Sequence, residues 1–435
     1  MIAKALAFLG LFAALLGMSP IAAAGEPRHE SPGRAEPGRE IRVGVESGDV
    51  RGADNRVLQE AVDRMASLGG GTVRIGPGRY LMRNALMLRN NVRVIGSPGG
   101  TVLVACDGAK TRLVQDASSD PPHIVLEDPA AFRVGDGVAI CDRRSPCSFA
   151  VTTATLTERM GPRTFRLSQK PVASYTVAQG ATAAIAFPVV GGWNIRDAAV
   201  EGFTIDGNRP KAQPLDGCRG AGIYLYACQR VAVRRSTVRN CRNDGISFQW
   251  GSQDVTIEDC TVEDCLVFGL HPGSDSHHCV VRQNRSTGNG GPGLFVCVNV
   301  KHVLFEKNFF CGNQGPGISI GCRDTDNLFR ENTIRGNEKT GILFRDDGGE
   351  PNAAHRNVFE KNTILDNGAR EDKGRPPACV TVLGVHRGLV FRENTLGNTR
   401  PGGPASVGFL VVGGAEDLVN QANRFLNLPS AASKK

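Results

Sequence analysis

The sequence predicts an all-β solenoid of stacked parallel coils with about 24 residues per coil, and three observations carry that prediction. Glycine followed by an aliphatic residue recurs at Gly222-Ile223, Gly245-Ile246, Gly269-Leu270, Gly293-Leu294, Gly317-Ile318 and Gly341-Ile342, at spacings of 23, 24, 24, 24 and 24. A fixed period of this length means repeated structural units that stack on one another. Two polar columns keep the same register. Ser236, Cys260, Asn284, Asn308 and Asn332 stand nine residues before a glycine, and Cys241, Cys265, Asn289, Asn313 and Asn337 four residues before it. Asparagines stacked at a turn can hydrogen-bond their equivalents above and below. At one strand position Glu201, Arg234, Glu258, Arg282, Glu306, Arg330, Glu360 and Arg392 alternate in sign, which favours this register and penalises a slip.

Between these columns lie short β-rich runs such as Val231-Ala232-Val233 and Val303-Leu304-Phe305, with no helical period. They read as parallel strands that pair coil to coil at about 4.8 Å and share one apolar core. The charge column is spaced 33, 24, 24, 24, 24, 30 and 32, which places insertions at residues 209–220, 348–355 and 368–377. Earlier, Val57, Leu58, Ala61, Val62 and Met65 fall at helical spacing behind a capping Asp54, predicting a helix over 54–68 that covers the open end of the solenoid. Residues 120–188 break the period and read as an inserted β-subdomain. The resulting division is 41–119 for the cap and first coils, 189–427 for the main solenoid and 428–435 for a disordered tail.

Residues 1–24 hold one lysine, an apolar run over 5–17 and then Ala22-Ala23-Ala24, the layout of a cleavable export signal, and 25–40 reads as a flexible leader. The apolar run is too short to span a bilayer. Secretion is therefore expected, with no membrane attachment after signal removal. The 435 residues carry a net charge of +8, or +7 without that segment, spread rather than clustered. No nucleic-acid recognition motif is present, so the expected partner is an acidic extracellular polysaccharide bound by a monomer. Thirteen cysteines cannot all pair within one molecule. Cys141 and Cys147 flank a short polar loop and make the easiest local bridge, whereas Cys241 and Cys265 are expected as interior free thiols. No zinc spacing occurs.

The segment Gly69-Gly70-Gly71-Thr72-Val73-Arg74-Ile75-Gly76-Pro77-Gly78-Arg79-Tyr80 is similar to the first-coil signature of the pectate-lyase superfamily, and the glycine-aliphatic repeats resemble its later coils. The resemblance implies a right-handed parallel β-helix, here with the N-terminal capping helix and the inserted β-subdomain read above. That superfamily spans lyases, hydrolases, epimerases and phage tailspikes, so the resemblance leaves the reaction open. Polygalacturonases of this fold carry Asn-Thr-Asp-Gly, Asp-Asp and Gly-His-Gly on successive coils. Here Asn243-Asp244-Gly245 is a partial match, Val267-Phe268 occupies the neighbourhood of the Asp pair and Gly315-Pro316-Gly317 lacks the histidine, which argues against that mechanism. Phe268-Gly269-Leu270-His271-Pro272-Gly273 is similar in placement to the Tyr-Gly-Phe/Ile-Asp-Pro-His motif of mannuronan epimerases, with Phe268, His271 and Gly273 replacing its Tyr, Asp and His.

Strand parity turns Tyr224, Tyr226, Ser247, Gln249, His271, Phe295, Cys297, Ser319 and Arg345 to the outer face of the glycine-aliphatic strands. Aromatic rings pack on pyranoses, and amides or guanidiniums bind hydroxyls and carboxylates. Tyr224, Tyr226, Asp244, Gln249, Trp250 and Phe295 are therefore the expected substrate contacts, in a groove walled by the first two insertions. His271, with Asp275 in the following turn, or a tyrosine at 224 or 226, is the expected base for removing a proton next to a uronate carboxylate, with Arg323 and Arg345 neutralising that carboxylate. The result would be elimination or epimerisation. Asp324 with Asp346 or Asp347, about one coil apart, offers hydrolysis instead, unless Arg323 and Asp347 form only a salt-bridge rung. A glycan-binding scaffold without turnover is the third reading. No residue set requires a cofactor. The column Asp254, His278, His302 and Asp326 leaves a divalent cation open, although stacked Asp/His ladders also stabilise a turn without metal.

Overall fold

The computed structural model describes residues 38–144, 150–370 and 374–434. The expected export signal, most of the leader and Cys147 with its expected bridge lie outside them. Three long parallel sheets of 13, 11 and 11 strands run the length of the chain, and each coil gives one short strand to each sheet. One coil supplies Thr256–Glu258, Thr261–Glu263 and Leu270–Pro272, and the next supplies Val280–Arg282, Arg285–Thr287 and Leu294–Phe295 directly beside them. The protein is a right-handed parallel β-helix. Its sheets are named here by their repeating residues as the charge sheet, the threonine sheet and the glycine sheet.

The register is the one the 24-residue period dictates. Ile223, Ile246, Leu270, Leu294, Ile318 and Ile342 pair in succession across the glycine sheet. Glycine precedes each because the strand is pressed against the threonine sheet. A Cβ on Gly222, Gly245 or Gly317 would stand 2.4, 2.1 or 2.3 Å from a methyl of Val238, Val262 or Ile334. Inside, Phe305, Phe329, Phe359 and Phe391 stack with ring centroids 4.6, 4.4 and 4.7 Å apart, which is the coil spacing expressed in side chains.

Both asparagine ladders form. Asn284, Asn308, Asn332, Asn362 and Asn394 each donate a side-chain N–H to the amide oxygen one coil on, at 2.8–3.0 Å. Asn289, Asn313 and Asn337 do the same on the second ladder. These bonds satisfy buried turn amides that no strand ladder reaches. Cys241 and Cys265, at the head of the second ladder, are buried free thiols. The charge column pairs as predicted in register, but its ion pairs cluster. Glu258 holds both Arg234 (3.1 Å) and Arg282 (2.5 Å), Glu306 holds Arg330 (2.6 Å), and Glu201 turns instead to Arg235 (3.0 Å).

The capping helix spans Asn55–Ser67. Asp54 accepts the N–H groups of Arg56 and Val57, and Leu58, Ala61, Val62 and Met65 are buried against the first coils. The inserted unit is a seven-stranded antiparallel sheet running from Lys110–Arg112 to Thr182–Ile185 around its own core of Ile124, Leu126, Phe165 and Tyr175. It starts ahead of residue 120 because the short strand Lys110–Arg112 pairs with Thr182–Ile185, a long-range contact with no local signature. At the other end the expected disordered tail is corrected. Ser430–Lys434 is a strand that adds in parallel to Val407–Val412, whose outer edge would otherwise be unpaired.

Candidate functional site

Parity predicted the outer face of the glycine sheet correctly, but facing outward is not the same as reaching solvent. Tyr224, Ser247, Gln249 and His271 are all buried. The first insertion, residues 209–220, folds over them. Ser247 Oγ donates to Gly217 O (2.9 Å), Tyr224 Oη donates to Cys218 O (2.8 Å), and Gly217 lies so close to Asp244 that a Cβ there would clash with its carboxylate. The expectation of an open groove along this face, between the coils of Gly245 and Gly341 and with His271 exposed in it, is corrected at these residues accordingly.

Under this cover His271 Nδ1–H donates to Asp244 Oδ2 at 2.6 Å. Burial works against a charged imidazole, but the Asp244 carboxylate outweighs it, with help from the Cys297 thiol, and His271 is pushed up to about 10. Burial raises the Asp244 carboxyl, while the imidazole and the Phe268 N–H (3.1 Å) pull it back. A histidine that holds its proton this firmly, out of solvent, does not serve as the open base the sequence suggested. Gln249 donates to Ser247 Oγ (2.9 Å) and His271 O (3.2 Å), so it braces the strands. Asp275 is exposed in the turn and accepts from Asn299 Nδ2.

The arginine–aspartate group is likewise structural in its geometry. Asp324 is wholly buried and accepts the N–H groups of Val300 and Gly321 at 3.0 Å. Burial pushes it up to about 7 against the pull of Arg345. Arg345 pairs with Asp347 (3.1 Å), donates to Ser319 Oγ and Val296 O (2.9 Å each), and lies 4.3 Å over the Phe295 ring. The expected rung between Arg323 and Asp347 is therefore corrected, since Asp347 takes Arg345 and the Cys322 N–H. Arg323 instead gives its backbone N–H to Asn352. Asp346 caps the turn at Gly348 and Gly349. Arg345 standing against both Asp324 and Asp347 replaces the accessible carboxylate pair. In the next turn column the His278 and His302 rings stack at 5.2 Å and Asp326 pairs with Arg356 at 2.7 Å.

The open cavity lies one to three coils from His271 toward the N-terminus. A cleft of about 460 Å³ separates the outer face of the first glycine-sheet coils from the inserted antiparallel sheet. Trp193, Tyr226 and Trp250 line one wall with Arg219 and Asn194, while Thr153, Thr155, Ser168 and Gln169 face them from the insert. Trp250 is 41% exposed, its ring lies 5.7 Å from Tyr226, and the Arg219 guanidinium sits 5.2 Å over it. Of the residues expected from sequence, Tyr224, Tyr226 and Trp250 come together here. Asp244, Gln249 and Phe295 do not. Trp193 was legible, because it pairs in register with Tyr226, but its strand precedes the regular repeats. The insert residues carried no signal at all.

Two overlapping matches to the right-handed β-helix region family, over residues 191–334 and 274–425, together span more than half of the chain. The chain belongs to this family. A comparison with curated protein sequences finds no match. Among solved structures, the A-module of a mannuronan C-5 epimerase from Azotobacter vinelandii is similar at 16% identity, with 90% of this chain and 98% of that one covered and a TM-score of 0.56. A second epimerase A-module from the same organism gives 15% identity, 90% and 100% coverage and a TM-score of 0.52. The ORF18 protein of Geobacillus virus E2 gives 12%, 91% and 62%, and 0.51. At these identities the likeness is one of fold.

Proposed function

We propose that this chain binds an acidic polysaccharide in the cleft between its insert and its first glycine-sheet coils, and removes the proton next to a uronate carboxylate. The observation that carries this reading is the cleft lining: five aromatic side chains and one guanidinium, with no carboxylate and no imidazole among the described residues that line it. Aromatic faces suit pyranose rings, and a cationic wall without acidic residues suits an anionic chain. Arg219 would neutralise the carboxylate so that negative charge developing on the α-carbon is tolerable, and Tyr226 would act as the base that takes the proton. Return of a proton to the other face gives epimerisation, and loss of the glycosidic oxygen gives elimination. Tyr224 is a poorer base, because burial pushes its hydroxyl up and it donates to Cys218 O.

Carboxylate-assisted hydrolysis gains no support, since Asp324 is sealed in and Asp347 is engaged by Arg345. The same absence of acidic groups from the cleft favours, as a second reading, a glycan-binding protein without turnover. The fold shared with epimerase modules supports the first. We further propose that the protein is exported and acts as a monomer. Incubation with uronate and neutral polymers decides among the readings. Ultraviolet absorbance from an unsaturated end marks elimination, an altered uronate composition by NMR marks epimerisation, and new reducing ends without absorbance mark hydrolysis. Retention on immobilised polyuronate without products leaves the binding reading, and failure to bind any acidic polymer overturns both.

A further inference from the structure

Beyond the cleft, the coils of Gly245, Gly269 and Gly293 hold a polar group that the proposed glycan chemistry does not use. The imidazole of His271 is fixed by Asp244 at Nδ1 and by the rings of Phe268 and Phe295, both edge-on with centroids 5.3 and 5.2 Å away. Its other nitrogen, Nε2, is buried without a hydrogen-bond partner among the described residues, and so is Gln249 Oε1. That oxygen lies 2.5 Å from where a Cβ on Gly273 would stand. Gly273 pairs with Cys297 on the following coil, which makes Cys297 the diagonal outer-face neighbour of His271. From there the sulfur, as thiolate, adds to the Asp244 carboxylate in holding the proton on the ring. Whereas Cys218 and Cys322 nearby are buried, Cys297 is only half-buried. Val298 and Asn299, which follow it, both adopt left-handed backbone, with φ of 66° and 64°. The same pair of left-handed residues recurs one coil earlier at Ser274 and Asp275, so it belongs to the turn that closes each of these coils.

We propose that Cys297, His271 and Asp244 form a nucleophilic triad that transfers acyl groups from esters reaching the outer face beside Cys297. Asp244 holds the imidazole with its Nδ1 proton inward and stabilises the imidazolium. His271 rests as the imidazolium, holding at Nε2 the proton that Cys297 has given up, and the Sγ thiolate attacks the ester carbonyl carbon. The carbon–oxygen bond to the alcohol breaks, and the alcohol leaves with the proton held at Nε2. Water then adds to the thioester carbonyl and gives a proton to Nε2. The carbon–sulfur bond breaks, the acid departs, and Sγ is left as the thiolate beside the imidazolium.

Cys311, half-buried on the threonine sheet, is a reference thiol within the same molecule. The test is iodoacetamide labelling at about pH 6, where an ordinary thiol with a pKa of about 8.5 is almost wholly protonated. Peptide mass mapping should show Cys297 alkylated at least about tenfold faster than Cys311, and His271→Gln should remove that advantage without slowing Cys311. p-Nitrophenyl acetate should leave an acetyl group on Cys297 and release nitrophenol, with Cys297→Ala abolishing both. Equal labelling of the two thiols in the unmodified protein overturns the proposal, whether or not His271→Gln folds. So does an advantage that survives in a folded His271→Gln, or the absence of acetyl transfer.

Discussion

Asp244 Oδ2 stands 2.6 Å from His271 Nδ1, and neither side chain reaches solvent, being 0% and 2% exposed. The pair links two successive coils beneath a loop that has no counterpart elsewhere in the solenoid. Its energetics differ from those of the exposed histidine that strand parity alone suggests.

Replacing His271 with Ala should therefore destabilise the fold. It strands Asp244 in the interior without its partner, and breaking a buried pair from one side costs about 3–5 kcal/mol. Urea denaturation should show that loss at neutral pH. The pH dependence has a defined sign. The His271 pKa rises on folding from 6.5 to about 10, so its contribution is fully present below 6.5 and fades as pH climbs toward 10. Asp244, with its carboxyl raised by burial, also loses stability as pH rises, so it does not reverse this sign. The gap between wild type and His271→Ala should narrow between these values. A gap that is absent at pH 6, or that widens toward pH 10, would refute the assignment.

Most of the solenoid was legible because it depends on the same chemistry recurring in every coil. Gly245 and Gly317 had to be glycine to clear Val262 and Ile334, and Asn308 had to be asparagine to serve both neighbours. The site was less legible because it is built from what does not repeat. Gly217 and Cys218 cover His271 from an insertion without periodicity, and Thr153 and Gln169 reach the cleft through an antiparallel sheet whose register is set by long-range pairing. Parity assigns a face, whereas exposure depends on what lies over it.

The asparagine ladder gives a second prediction. Asn308 donates to Val281 O (2.8 Å) and Asn332 Oδ1 (3.0 Å), and its own oxygen accepts from Asn284 N and Nδ2 (3.1 and 3.0 Å). Asn308→Ala leaves several of these buried groups unsatisfied, at about 1–3 kcal/mol each. Chemical denaturation should show a loss of at least about 3 kcal/mol, without change in glycan retention, because this corner lies away from the cleft. A loss below about 0.5 kcal/mol, the usual scale for surface positions, would mean that the ladder contributes nothing beyond what water could supply.

Asp324 should have the opposite effect on stability. Burial raises its pKa from 3.8 to about 7, so between these values the folded chain binds a proton that the unfolded chain has released. Stability then falls as pH rises through that window. Asp324→Asn keeps an oxygen for Val300 N–H or Gly321 N–H and removes the titration. The variant should lose this part of the pH slope, and its melting temperature should gain on wild type between pH 4 and pH 7. Parallel melting profiles for the two proteins would show that Asp324 is already ionised throughout, held by Arg345.

The cleft is tested by separating its aromatic wall from its charge. Trp250 is exposed, touches Tyr226 and carries the Arg219 guanidinium over its ring, so it contributes both a sugar platform and the support that positions the cation. Trp250→Ala should weaken binding of every polymer the cleft accepts, by about tenfold for a loss near 1.4 kcal/mol. Arg219→Gln keeps a polar side chain but removes the charge, so it should weaken polyuronate binding while sparing any neutral glycan. It should also flatten the salt dependence of polyuronate binding, since screening acts on the charge alone. Neither change should move stability by more than about 0.5 kcal/mol, because neither opens a cavity in the core. Tyr226→Phe keeps the ring and removes only the hydroxyl, so it should abolish turnover with retention nearly intact. If Tyr226→Phe turns over at the wild-type rate, Tyr226 is not the base. If Arg219→Gln and Trp250→Ala both bind polyuronate as wild type does, the glycan lies elsewhere on the solenoid.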